Sequence, residues 1–223
     1  MEYIMRNIIL QHFTGKLRPL DKLSVENISA YAERIGVEYQ FVEGQVFREH
    51  LTPPCQKVHI LDEKWDEYDD VLMLDIDMFV TKNLRLNVFK AEGVGFAAGA
   101  IQKSLKNRLV SEGRIDENTG YWGGAFYKLT REQRQKLRSA IPDNDEWMDR
   151  YNQPYKYEDE GIISELFYRS KCEWKDADPM WQQDSYLPNH QAGMIHVRTK
   201  ITPQGPKREK IENFYTMQMA GIL

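Results

Sequence analysis

Apolar positions in the first forty residues switch between two periods. Asn7–His12 (NIILQH) is a short run suited to a buried strand. His12-Phe13-Thr14-Gly15-Lys16 follows as a loop. Within Asp21–Ile35, Val25, Ile28, Ala32 and Ile35 fall at helical spacing. Gly36 stands where a helix-terminating glycine belongs. Val37–Val42 partly alternates and predicts a second strand. The opening therefore predicts β-α-β, the start of a parallel sheet covered by helices.

Pro53-Pro54 marks a boundary. Cys55–Trp65 predicts a helix with Val58 and Leu61 on one face. Val71–Leu74 (VLML) is uninterrupted and apolar, the pattern of a central strand buried on both faces. Further strands are expected at Val94–Ala98, Gly124–Leu129 and Met194–Val197. Helices are expected at Arg131–Ala140, capped by Thr130, and at Glu160–Tyr168. The tail from Thr202 to Leu223 is polar and basic before a terminal helix. Strands and helices alternate early and thin out later, which predicts an α/β nucleotide-binding half and a more irregular half fused into one domain.

Composition narrows the function classes. Thirty Lys+Arg against 34 Asp+Glu give a net charge of −4, which argues against nucleic acid or an anionic membrane as partner. Hydrophobic residues make up 41% of the 223-residue chain, too rich in core formers for a disordered segment. Cys55 and Cys172 cannot build a disulfide framework, and two cysteines are too few for a zinc site alone. They indicate a reducing compartment. No leader-like apolar stretch and no membrane-span-length run is seen, so a cytoplasmic location is expected. Fusion to further domains in a longer native chain is left open.

The most informative stretch is Tyr68-Asp69-Asp70-Val71-Leu72-Met73-Leu74-Asp75-Ile76-Asp77-Met78-Phe79-Val80. An apolar strand ends in two carboxylates two residues apart. Ligands of open α/β sheets bind beyond the carboxyl ends of strands. Two acids there are costly unless a cation or hydrogen bonds compensate them. A Mg²⁺ or Mn²⁺ bridging carboxylate and diphosphate oxygens would do so. A solvated turn, which also favours Asp, is the plain alternative.

These residues resemble the DxD motif of nucleotide-sugar glycosyltransferases with the GT-A fold. Lys57-Val58-His59-Ile60-Leu61, Tyr68-Asp69 and the strand are similar to that superfamily's run of basic residue, helix and DxD strand. Asn27–Gly36 resembles the first helix of galactosyl- and xylosyltransferase-like members, including glycosyltransferases of large algal viruses. A haloacid-dehalogenase-type phosphatase also carries an apolar-strand DxD. It places the motif on the first strand and follows it with a small residue and Thr, unlike Met78-Phe79 here.

The resemblance implies an α/β GT-A (Rossmann-like) fold, a mixed central sheet flanked by helices. It implies a single domain over 1–223, with 1–100 as the nucleotide-binding half and 101–223 as the sugar and acceptor half. Asp75, Asp77 and His196 would hold Mn²⁺ or Mg²⁺. Phe13 and Thr14 would meet the nucleotide, beside His12, and Ile76 lies between the two acids. Trp122, Gly123 and Gly124 would shape the donor-sugar pocket; a turn with core aromatics is the alternative. Asp159, chosen over Glu160 in Tyr157-Glu158-Asp159-Glu160, would be the active-site carboxylate, although acids at a helix start are ordinary dipole partners. Lys57 and Lys200 would contact the diphosphate, with Arg198 competing for the role of Lys200. Lys57 also reads as a surface lysine and His196 as a core histidine. Asp69 or Asp70 would assist the base or cap a turn, and His50, His59 and His190 have no assigned role.

The expected function is metal-dependent transfer of a sugar from a UDP-sugar donor to a hydroxyl of a glycan acceptor, with retention. The first alternative is a catalytically inactive glycan- or nucleotide-sugar-binding module. The second is a sugar nucleotidyltransferase, which would want a glycine- and lysine-rich loop where Gln11–Lys16 supplies only Gly15 and Lys16.

Overall fold

The computed structural model describes residues 5–48, 51–95, 100–143, 147, 151, 158–184, 191–202 and 204–223. Strand β1 (Asn7–Phe13) leads into helix α1 (Pro19–Ile35), which returns the chain to β2 (Glu38–Glu43). The helix begins after Arg18, whose backbone N–H donates to the buried Asp21 carboxylate at 2.7 Å. It ends at Gly36, whose φ of 72° is left-handed, a conformation glycine adopts without a Cβ clash.

Strand β3 (Asp70–Leu74) lies beside β1, and β5 (Phe126–Thr130) closes the sheet. The order is β2-β1-β3-β5. β1 pairs parallel to β2 and β3, whereas β3 and β5 are antiparallel. The sheet is therefore mixed. Alternate residues feed two cores. Ile8, Leu10, Val71, Met73, Tyr127 and Leu129 face one cluster with Val58, Ile162, Ile163 and Leu166. Ile9, Leu72, Leu74 and Phe126 face the other with Ile28, Tyr31 and Ala32 of α1. The Val71–Leu74 run is buried throughout, as its lack of alternation predicts.

A second sheet has the order β4 (Met78–Val80), β7 (Met194–His196), β6 (Gln183–Asp184). Helix α2 spans Ala100–Ser111, α3 spans Arg131–Ser139, α4 spans Glu158–Ser170 and α5 spans Lys210–Met219. Thr130 caps α3 as expected, accepting from Gln133 N–H at 3.1 Å while Gln133 accepts from Thr130 N–H at 3.0 Å. Helix α5 packs Phe214 and Met217 against Phe79, Ile195 and Val197.

Three expectations change. Cys55–Trp65 is not one α-helix but two 3-10 segments, Pro54–Leu61 and Glu63–Trp65. Asp62 breaks it: its backbone is extended and its side chain accepts from Lys64 N–H at 3.2 Å, a local bond that competes with helix. Val94–Ala98 contributes only a bridge from Gly95 to Asp176, and 96–99 lie outside the described residues. The strand expected at Gly124 starts at Phe126. The periodicity reading also has no counterpart for α2, β4 or β6. Both sheets draw strands from 1–100 and from 101–223.

Candidate active site

A cleft of about 330 Å³ opens at the carboxyl ends of β1 and β3. Three local features bring its residues together. β3 stops at Leu74, and Asp75-Ile76-Asp77 turns the chain into β4. The antiparallel register of β4 and β7 sets Met78 opposite His196, and Val197 N–H donates to Asp77 O at 2.9 Å. Asp77 and His196, far apart in sequence, thus become neighbours. The 3-10 segment after Pro53-Pro54 buries Lys57 beneath the same cleft.

Lys57 is the hub of one half. Its Nζ lies 2.6 Å from Asp75 Oδ1 and 3.1 Å from Asp159 Oδ2, and donates to Gly124 O at 2.7 Å. An ammonium has three donors, so all are engaged. Burial lowers the Lys57 pKa, but the Asp159 and Asp75 carboxylates more than reverse this and keep it protonated. Asp159 is almost fully buried and also accepts from Tyr127 OH at 3.0 Å. Burial pushes its pKa up, against the pull of Lys57. Gly124 must be glycine here: a Cβ would stand 2.5 Å from Asp159 Oδ2.

Glu160 also lines the cleft and accepts from Gly124 N–H at 3.0 Å. Its pKa is pushed up to about 7, first by burial and then by the Asp159 charge. Asp77 is the hub of the other half. His196 Nε2 lies 3.0 Å from its Oδ1, and Lys210 Nζ pairs with Oδ2. Burial pushes the Asp77 carboxyl up, but His196 and Lys210 outweigh it and hold it well below the usual carboxylate range.

Asp75, Asp77 and His196 offer ligand atoms within 4.8 Å of one another. Two carboxylates and an imidazole suit Mn²⁺ or Mg²⁺, so the donor set fits such an ion. His196 Nδ1 is buried and has no hydrogen-bond partner among the described residues, where metal-binding histidines commonly have an acceptor.

At the end of β1, His12, Phe13 and Thr14 line the cleft. Thr14 Oγ1 donates to Gly44 O at 3.2 Å, and the His12 ring lies 2.7 Å from the same oxygen. Burial pushes the His12 pKa down. Ile76, Gly123 and Gly124 also line the cleft. Trp122 does not. It is fully buried against Phe167 and Trp174, and its Nε1 donates to Asp176 at 2.8 Å. This is the core-aromatic alternative, set by the flanking glycines: a Cβ on Gly120 would meet the Trp122 ring at 2.1 Å. Arg198, rather than Lys200, borders the cleft. Lys200 stands two residues beyond Arg198, past the end of β7.

Asp69 is remote from the cleft, tying Arg6 N–H at 2.8 Å and Arg131 at 3.0 Å at the opposite end of β3. Asp70 begins that strand. His59 is buried, its pKa lowered to about 3 by burial. Tyr157, His50 and His190 lie outside the described residues. Glu160 stands beside Asp159 in the sequence, and both line the cleft. Gln182 also lines the cleft, and neither it nor Tyr127 nor Lys210 carries a motif that marks it.

No protein-family model and no curated protein matches the chain. Among solved structures, it is similar to a glycosyltransferase involved in the glycosylation of the major capsid of PBCV-1. The TM-score is 0.56 at 13% identity, over 96% of this chain and 100% of that one. The likeness is one of fold: an α/β glycosyltransferase fold with a mixed central sheet flanked by helices. Among the described residues, no helix is long and apolar enough to cross a membrane.

Proposed function

We propose that this chain is a metal-dependent glycosyltransferase that moves a sugar from a UDP-sugar to a hydroxyl of a glycan acceptor, with retention. The observation that carries the reading is the convergence of Asp75, Asp77 and His196 on one cleft at the carboxyl ends of β1 and β3. That is where α/β sheets bind nucleotides. The PBCV-1 neighbour has the same fold and is itself a glycosyltransferase.

Asp75, Asp77 and His196 would hold Mn²⁺ or Mg²⁺, which when bound neutralises charge on the departing diphosphate. Phe13 offers a ring face for the base, and Thr14 a hydroxyl near the ribose. Arg198 borders the diphosphate position and takes the role first expected of Lys200. Gly123 and Gly124 leave room for the sugar. A phosphate oxygen of the leaving group takes the acceptor proton in a retaining scheme.

Lys57 and Asp159 act as positioning residues in this reading. Every Lys57 donor is spent within the protein, and Asp159 is held by Lys57 and Tyr127. Together they orient Asp75. Glu160 is the carboxyl we assign to the sugar or acceptor hydroxyl, because it lines the cleft with fewer partners than Asp159 among the described residues and titrates near neutrality.

A screen of UDP- and GDP-sugars for metal-dependent sugar release tests this. Release from a UDP-sugar that requires Mn²⁺ or Mg²⁺ and is lost in Asp77→Ala supports the transferase. Nucleotide-sugar binding without release would favour the inactive binding module, and sugar-1-phosphate plus UTP turnover would favour the nucleotidyltransferase.

A further inference from the structure

Asp77 is surrounded by more positive charge than one carboxylate needs. Its side chain is 9% exposed, and both oxygens are engaged, one by His196 and the other by Lys210. Arg18 and Arg198 add to the positive potential at the same carboxylate. Asp75 is already compensated by Lys57. The acidic pair therefore carries its own counter-charges without an ion.

Lys210 arrives from 133 residues away in sequence. It is the first residue of α5, where the helix dipole disfavours a cation. The docking of α5 holds it there. Phe214 and Met217 sit in the cluster around Phe79 and Ile195, and Asn213 donates to Arg198 O at 2.8 Å. The ammonium is thus carried to a place its own helix opposes, and Asp77 is the group that compensates it.

We propose that Lys210 is a resident counter-cation at Asp77, which a divalent ion entering the Asp75-Asp77-His196 group must displace. The proposal rests on the metal reading above. Ammonium and metal ion compete for the same carboxylate. An ion added beside an undisplaced ammonium would meet a like charge at a few ångströms in a partly buried site, where such repulsion is strong. Ion binding is therefore coupled to release of the Lys210 side chain from Asp77, and by linkage Lys210 weakens ion binding as much as the ion weakens the Lys210–Asp77 pair.

Calorimetric titration of MnCl₂ into the full chain tests this without any sugar donor. Lys210→Met keeps the aliphatic stem and removes the charge. We expect it to bind Mn²⁺ about tenfold more tightly than wild type, a shift of about 1.4 kcal/mol. Lys210→Arg keeps the charge and should retain the wild-type affinity within about twofold. Asp77→Asn should abolish binding in either background. Helical circular dichroism and melting curves verify each fold; if Lys210→Met does not fold, Lys210→Gln replaces it with the same expectation. Mn²⁺ binding that is unchanged or weaker in the charge-removed variant, yet still lost with Asp77→Asn, overturns the competition and leaves the metal reading standing. No Mn²⁺ binding to wild type or to any Lys210 variant overturns both.

Discussion

At the scale of single residues, the site is held by close tolerances. Gly124 has Asp159 and Lys57 at the positions a Cβ would need, 2.5 Å and 3.0 Å away. Gly124→Ala should push the Lys57–Asp159 pair apart, costing about 1–3 kcal/mol of stability. It should also disturb Asp75, and so weaken nucleotide binding more than a distant glycine substitution would. Urea unfolding and nucleotide titration measure the two effects. Glu160 gives a pH test. Its folded pKa of about 7 lies above the ordinary 4.5, so the folded state holds a proton that the unfolded state has lost between those values. Stability from this group is full below about pH 4.5 and falls as pH rises towards 7. Glu160→Gln keeps an acceptor for Gly124 N–H and removes the charge. It should melt higher than wild type at pH 8 and like wild type at pH 4.5. The paired carboxylates at the end of an apolar strand were legible in sequence because burial and charge conflict there. The place of Trp122 was not, since an aromatic between glycines fits a sugar platform and a core equally well; only the packing of Phe167 and Trp174 distinguishes them.

At the scale of elements, α4 is fastened by a buried carboxylate. Glu165 is 2% exposed and pairs with Arg114 at 2.7 Å and Arg169 at 2.7 Å. It also accepts from Trp147 Nε1 at 2.8 Å and from Tyr151 OH. Glu165→Gln would leave those cations and donors without a matching charge, a loss of about 3–5 kcal/mol by analogy with other broken buried pairs. Because α4 also presents Asp159 and Glu160 to the cleft, nucleotide binding should weaken in parallel. Chemical denaturation with a titration on the same samples checks this. β1, α1, β2 and β3 were legible because period and caps agree there: the run at Ile8, the helical spacing to Ile35 and Gly36 all point one way. The 3-10 segments were not, because a helical apolar spacing over Cys55–Trp65 does not reveal that Asp62 caps the next turn. The short strands β4 and β6 have too few residues for any period to register.

At the scale of the whole molecule, the cleft exists because distant segments meet. β1 and β3 supply its floor, the β4–β7 pair brings His196 to Asp77, and α5 delivers Lys210. The sequence shows each motif but not the register that joins Met78 to His196. Nor does it show that a polar tail returns to the acidic pair. The acids at the carboxyl edge of the α/β sheet carry the central proposal, that this cleft binds a nucleoside diphosphate through a divalent ion, on a fold similar to that of a PBCV-1 glycosyltransferase. The most direct test is calorimetric titration of UDP, with GDP alongside, in the presence and absence of Mn²⁺, on wild type and Asp77→Ala. The account predicts UDP binding that requires Mn²⁺, exceeds GDP binding and disappears in Asp77→Ala. No nucleotide binding under any condition, or binding indifferent to both Mn²⁺ and Asp77→Ala, would contradict it and return Asp75-Ile76-Asp77 to the part of a structural turn.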